Sequence, residues 1–345
     1  MLNKLPALPN NLDALLESCA YLHKPQNIAL IQTQMSFVFL TGDYVFKVKK
    51  PVNLGFLDYT TLEKRRFFCH QELELNRRLC PGTYLAVVPI TTPLQGAKPQ
   101  SNLLCVEGKG KIVEYAVKMK QLPQDRMMDV LLPAGQVTRE MVATVAEKLA
   151  DFHLKAKTNP EIAAFGKLDV IHQNTDENFA QTEKYIGLSL TTERYERIKD
   201  YTSAFIDSNI SLFDKRVREA KIKDCHGDLH AAHICFTGDI CIYDCIEFND
   251  RFRYSDVASE IAFLAMDIDR YQRNDLSQHL VNKYVELSRD KELLNLLDFY
   301  KCYRAYVRGK VESFKLDDPY IPEEEKTKIL TVARGYFQLA ESYIS

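Results

Sequence analysis

A chain of 345 residues with 46% apolar and 27% charged residues has the composition of an ordinary globular protein and is long enough for two lobes. Its formal net charge of −2 argues against the nucleic-acid-binding classes that depend on a strongly basic surface. No apolar run reaches membrane-spanning length, nothing near the start reads as a signal peptide, and the nine cysteines are scattered and odd in number, so reduced thiols in a cytoplasmic protein are expected.

Leu12, Leu15, Leu16, Cys19 and Leu22 make a first helical stripe, interrupted by charge. Residues 28–40 read as two β segments, Thr41-Gly42-Asp43 as a turn, and 44–48 as a strand. Alternation in that strand puts Val45 and Lys47 on one face and Tyr44, Phe46 and Val48 on the other. Residues 60–79 predict a helix in which Phe68, Leu75 and Leu79 share a stripe with one gap, filled by Glu72. A carboxylate there is costly to bury unless a cation meets it, and Lys47 is the natural partner. The plainer alternative sets Glu72 at the rim, beside a solvated face of Arg65, Arg66, Arg77 and Arg78.

Further strands are predicted over 84–90, 102–106 and 112–119. Beyond Gln121-Leu122-Pro123 the pattern turns mostly helical. Val142, Val145, Leu149 and Phe152 repeat at helical spacing, as do Val257, Ile261, Leu264 and Ile268. The last helices are expected over 294–314 and from Pro322 onward, proline being suited to a first helical turn. This divides the chain into a β-rich N-lobe with one long helix, residues 1–121, and a mainly helical C-lobe, residues 122–345.

The chemistry is concentrated in Cys225-His226-Gly227-Asp228-Leu229-His230-Ala231-Ala232-His233 and in the apolar run that ends at Asp244. A loop carboxylate followed by a strand-end carboxylate is what phosphoryl transfer needs: one acid to orient and deprotonate a hydroxyl, one to hold the metal on the nucleotide phosphates. Either could instead be an ordinary turn aspartate.

With VFKVKKPV and FLD near the start, ELELNRRL after them, and HGDLHAAHI followed by IYDCIEFNDRFRYSDVASEIAFLAMD, the chain resembles the aminoglycoside phosphotransferase family over roughly residues 28–315. It is similar in particular to bacterial phosphotransferase-like proteins of unassigned substrate. The resemblance implies an α+β, bilobal protein-kinase-like fold with ATP and Mg2+ or Mn2+ between the lobes. It makes Asp228 the catalytic aspartate, Asp244 the metal ligand, Lys47 the lysine on the α/β-phosphates and Glu72 its helix partner. Asp256 resembles the helix-start aspartate that braces the catalytic loop.

One departure stands out. The family usually carries asparagine five residues after the catalytic aspartate, and this chain has His233. Magnesium accepts imidazole poorly, which leaves three readings of His233: a ligand of a softer ion such as manganese, a donor to a phosphate, or the loss of a second metal site. Turnover higher with manganese than with magnesium is the corresponding expectation. No glycine-rich phosphate loop is present. Ser36 in the hairpin over 33–36 is the positional substitute, against the plainer reading of a solvent-facing hydroxyl, and Val45 could pack on adenine.

Several other signals carry less. A structural zinc site among the cysteines has the wrong spacing, and His226-x-Asp228-x-His230 as metallohydrolase ligands lacks a second cluster. His153 reads as a satisfied, half-buried histidine. Lys301, Arg304 and Arg308 share one helix face, read as a basic solvated face or, functionally, as a pocket for an anionic acceptor. Some members of the resembled family continue into a P-loop domain; no G-x-x-x-x-G-K-[ST] occurs here, so any such partner activity is expected from another chain. The function expected is ATP-dependent phosphorylation of a hydroxyl on a small-molecule acceptor, with no nucleic acid or membrane as partner. A non-catalytic nucleotide-binding module and a metal-dependent hydrolase are the alternatives.

Overall fold

The computed structural model describes residues 8–92, 104–318 and 321–344. Two compact units result: Met1–Arg126 together with Thr237–Asp250, and Met127–Phe236 together with Arg251–Ser345. The fold is α+β, with the large sheet in the first unit and a mainly helical second unit.

In the first unit, strands β1 (Ala29–Gln32), β2 (Ser36–Leu40), β3 (Tyr44–Lys49), β4 (Tyr84–Thr91), β5 (Cys105–Val106) and β6 (Ile112–Lys120) form an antiparallel sheet in the order β1-β2-β3-β6-β4-β5. Of the strand expected over 102–106, residues 102 and 103 lie outside the described residues. Alternation in β3 sends Phe46 and Val48 into a core with Phe37, Phe39, Val88, Ile90 and Ala116, closed by Leu12, Leu15 and Tyr21. The opposite face of β3 is therefore left with Val45, Lys47 and Lys49.

Helix α1 (Leu62–Arg77) packs on β4 and β6. Thr61 starts it by accepting a hydrogen bond from Lys64 N, Glu63 favours the positive end of the helix dipole, and Arg77 favours the negative end. Its buried residues are Arg65, Cys69, Glu72, Leu73 and Asn76, while Phe68 and Leu75 are only half-buried. The inward face is thus more polar than the apolar stripe suggests, because each charge meets a partner: Arg65 forks onto Glu114 with Nε–Oε2 at 2.9 Å and Nη2–Oε2 at 2.8 Å. Past the helix end, Cys80 is disulfide-bonded to Cys241 on the short strand β7 (Cys241–Ile242), with Cα atoms 4.8 Å apart. The expectation of reduced thiols is corrected at this pair. A sequence separation of 161 hides the proximity.

The second unit is built on helices α2 (Arg139–Lys155), α3 (Leu168–Thr182), α4 (Thr192–Ser208), α5 (Ile210–Arg218), α6 (Val257–Arg270), α7 (Asn274–Ser288), α8 (Leu293–Phe314) and α9 (Glu323–Ser342). Nearly every residue of α6 is buried, as expected of a helix apolar on all sides; α7 and α8 pack against it, α2 against α7, and α9 against α8. Arg216 of α5 is fully buried and forks onto Asp256 and Asp290 at 2.6–2.8 Å. No described helix is long and apolar enough to cross a membrane.

Two members of the basic stripe of α8, Lys301 and Arg304, are not solvated, and Arg308 is half-buried. Lys301 binds Asp269 at 2.7 Å and Ser277 at 3.2 Å, and Arg304 donates to Ser259 Oγ at 3.0 Å and to Gly227 O at 3.3 Å while lying over the Phe263 ring. Both are buried, because α8 is enclosed by α6 and α9 and has no wholly solvent-facing side.

Candidate active site

In the first unit, β3, α1 and the segment after β7 bring five charged side chains together. Lys47 Nζ lies 2.9 Å from Glu72 Oε1 and 2.6 Å from Asp244 Oδ1. The Glu72 contact is an ion pair that lacks hydrogen-bond alignment, whereas the Asp244 contact is aligned. Lys49, two residues on and on the same face of β3, holds the other Glu72 oxygen at 2.8 Å. It also donates to Glu247, whose Oε1 accepts from Tyr59 OH at 2.6 Å. Glu72 is fully buried and bridges two lysines rather than one. Burial acts to raise its carboxyl, but the ammonium groups of Lys47 and Lys49 prevail and hold it below the usual carboxylate range. Against the cost of burial, the surrounding carboxylates hold both lysines well above the ordinary range.

The two lysines are not equivalent. Lys49 is 1% exposed, and its ammonium is enclosed by Glu72, Glu247 and Tyr59. Lys47 is 15% exposed, and its partner Asp244 is 40% exposed. Asp244 has left-handed backbone, φ 64°, a conformation uncommon outside glycine and asparagine. Its amide donates to Tyr84 OH at 3.3 Å, and the next amide, of Cys245, donates to Asn76 Oδ1 at 2.9 Å. Val45 is buried, and Ser36 stands opposite Lys49 in the β2–β3 register, buried rather than facing solvent.

In the second unit the acid-bearing loop lies between β8 (Ile222–Asp224) and the one-turn helix Ala231–His233. Gly227, φ 88°, makes its turn; the left-handed backbone is easy for glycine. The loop hangs on α6: Glu260 Oε1 accepts from His226 N at 2.7 Å and Gly227 N at 2.8 Å, and Asp267 Oδ2 accepts from Ala231 N at 2.9 Å. His153 of α2 backs this with Nε2 2.7 Å from Glu260 Oε2 and Nδ1 2.7 Å from Tyr284 OH. Burial works to raise the Glu260 carboxyl, and His153 with the loop amides draws it down to about 2. The bracing acid is therefore Glu260 and not Asp256. Asp256 caps α6 through Ala258 N and is engaged by Arg216, and only a glutamate one turn further along reaches both loop amides.

Asp228 is 32% exposed at its side chain, with His230 Nε2 at 3.6 Å and His233 Nδ1 at 3.7 Å from Oδ2. Burial acts to raise its carboxyl, and His230, then His233 and Arg308, hold it well below the usual range. His233 Nδ1 also lies 2.9 Å from Asp228 O. His226 is turned inward, its Nδ1 accepting from Asp228 N at 3.3 Å, so the trio His226–Asp228–His230 does not converge as ligands; His233 takes the third place.

Sequence reasoning missed Lys49, Tyr59, Glu247 and Glu260. The alternation of β3 already set Lys49 beside Lys47. Glu247 and Glu260 stand in loop and apolar-helix contexts with no local sign of their partners.

No protein-family model matches the chain. Uncharacterized proteins of Mycobacterium tuberculosis and Mycobacterium bovis are 33% identical over 282 residues, covering 81% of this chain and 54% of theirs. The chain thus spans about half the length of the curated relatives it matches. A choline/ethanolamine kinase family protein from Mesorhizobium loti superimposes with a TM-score of 0.51 at 12% identity, covering 92% of each chain. Amicoumacin kinase, solved with AMP-PNP, Ca2+ and its ligand, gives 0.51 at 9% identity over 91% of this chain and 89% of its own. The chain has the kinase-like fold of these two proteins, a bilobal α+β architecture of the kind its motifs imply.

Proposed function

We propose that this chain transfers the γ-phosphoryl group of ATP to a hydroxyl of a small-molecule acceptor. The observation that carries the reading is the cluster in the first unit: a strand lysine whose ammonium bridges a buried helix carboxylate and a half-exposed, strand-end carboxylate. A lysine is worth holding there if its charge is to meet phosphate oxygens. Glu72 fixes the direction of Lys47, and Lys49 with Glu247 and Tyr59 fixes Glu72. Asp244 would hold a divalent ion. Its fit is indicated by the Lys47 ammonium, a cation already 2.6 Å from Oδ1, and by the hard oxygen donor that Mg2+ and Mn2+ prefer. When bound, such an ion supplies charge neutralisation on the nucleotide phosphates.

Asp228 is the acceptor-side group. With its carboxyl far below the ordinary range it is anionic at any physiological pH, and it orients the attacking hydroxyl more than it drives early proton removal. Glu260 and Arg304 hold the loop through the Gly227 amide and carbonyl, so that Asp228 is positioned before substrate arrives. The nucleotide and acceptor chemistry of the neighbouring kinases supports this class of reaction; the acceptor's identity is the object of a screen.

The test is a thermal-shift titration with ATP, without metal and with Mg2+ or Mn2+, on the wild type, Asp244→Asn and Asp228→Asn. Ligand binding to the folded state raises Tm by mass action. A metal-dependent shift lost in Asp244→Asn and kept in Asp228→Asn is expected, as is loss of ADP release in an acceptor screen for both variants. Absence of any nucleotide shift in the wild type would remove the reading.

A further inference from the structure

Among the described residues, Asp228, His230 and His233 offer one ligand atom each, all within 4.8 Å of one another. The Asp-x-His-x-x-His spacing achieves this because His230 is extended, φ −143° and ψ 170°, and the one-turn helix Ala231–His233 then carries the second ring back over the first. The two imidazoles lie 4.0 Å apart between centroids at 37°. Asp267, through Ala231 N, and the bond from His233 N to His230 O fix that turn. Nitrogen-to-carboxylate distances are 3.6 and 3.7 Å. Ligands on a tetrahedral ion with bonds of about 2.0–2.1 Å are roughly 3.3 Å apart, so the two nitrogen–carboxylate contacts close with movements of a few tenths of an ångström, and the two ring nitrogens, within 4.8 Å of each other, close by rotation of the imidazoles.

We propose that Asp228, His230 and His233 bind a borderline transition-metal ion, with Zn2+ as the strongest fit, and that filling this site silences Asp228. Two imidazoles and one carboxylate suit zinc, cobalt or nickel and disfavour magnesium and calcium, which demand oxygen. The ion takes the carboxylate lone pair that the acceptor hydroxyl needs, so it inhibits rather than assists. His233 Nδ1 presents its lone pair to the ion only as the Nε2–H tautomer and then ceases to donate to Asp228 O. The inhibitory consequence rests on the role proposed for Asp228; the binding site itself does not.

The experiment titrates the full-length, nucleotide-free protein with ZnCl2 against a chromophoric zinc chelator, and with CoCl2 followed by visible absorption. One equivalent is expected on the wild type, weakened by at least about tenfold in His230→Ala and in His233→Asn. The cobalt spectrum should show d–d bands without the near-ultraviolet thiolate charge-transfer band that cysteine ligands produce. Unchanged zinc affinity in both variants, a thiolate band, or no wild-type binding overturns the proposal. The cobalt spectrum needs only the wild type, so a variant that fails to fold leaves the test intact. The ATP-dependent thermal shift, taken on the same samples, bears on the phosphotransferase reading alone, so the two can fail separately.

Discussion

Replacing Lys49 and Lys47 singly by methionine separates a residue that holds the site from one that serves it. Lys49→Met removes the cation that bridges Glu72 and Glu247, leaving Glu72 with only the unaligned contact to Lys47 and Glu247 with the neutral hydroxyl of Tyr59 among the described contacts; Glu72 is 0% and Glu247 7% exposed at the side chain. Breaking a buried pair by deleting one partner costs about 3–5 kcal/mol, a Tm loss of roughly 10 °C for a domain of this size class. Lys47→Met leaves Glu72 still engaged by Lys49 and leaves Asp244 in contact with solvent, so its stability loss is expected to be about 1 kcal/mol or less. Urea denaturation followed by far-ultraviolet circular dichroism measures both stability losses, and titration with a fluorescent ATP analogue measures nucleotide affinity. Lys47→Met should unfold near the wild-type midpoint and lose nucleotide affinity by more than tenfold. Lys49→Met should unfold much earlier, yet bind nucleotide wherever it remains folded. A Lys49→Met protein as stable as wild type, or a Lys47→Met protein with undiminished affinity, refutes the division of labour.

Other consequences follow from the second unit. The Glu260 carboxyl is drawn from its ordinary value of 4.5 down to about 2, so the stability it contributes is complete above about pH 4.5 and is lost as pH falls toward 2. That stability is roughly 3 kcal/mol; Glu260→Gln should be less stable at neutral pH by a comparable amount and show a flatter acid limb in pH-dependent urea midpoints. Arg216→Met removes the buried cation shared by Asp256 and Asp290, leaving them the Ala258 amide and the more distant Lys221 ammonium, and should lower unfolding free energy by about 3–5 kcal/mol without altering the nucleotide affinity of molecules that remain folded. Lys310 is desolvated so that its ammonium titrates at about 8, and its neighbours Asn178 and Gln181 offer only amide oxygens. Burying that charge costs stability below pH 8, and the cost fades between about pH 8 and 10.5, so Lys310→Met should be the more stable protein at pH 7 and lose its advantage in alkaline melts.

What could be read from the chain divides along physical lines. Apolar periodicity reports which residues are buried, and the stripes of α2 and α6 lie where it sets them, since burial of apolar area does not depend on the identity of the neighbour. Two-residue alternation in β3 located Lys47, and a carboxylate in an apolar stripe demanded a cation, which is how Glu72 could be matched across 24 intervening positions. That reasoning fails once a charge has several candidate partners. Lys301 and Arg304 read as solvated because amphipathic patterning assumes that charge means water; in α8 it means Asp269, Ser259 and a backbone carbonyl. Asp256 and Glu260 stand one helical turn apart, and only the path of the loop decides which of them receives its amides. The Cys80–Cys241 bond joins positions whose local contexts are both ordinary apolar strand or helix-end surroundings.

The left-handed backbone at Asp244 bears on how this protein could lose its chemistry. A residue with φ 64° is most at ease as glycine or asparagine, and each lies one nucleotide change from aspartate. Either replacement removes the carboxylate while keeping or relaxing the turn, whereas alanine would also strain it. Under the metal-holding role proposed for Asp244, a descendant carrying asparagine or glycine there would lose the ligand and keep the turn, so soluble expression of such a protein says nothing about whether it turns over.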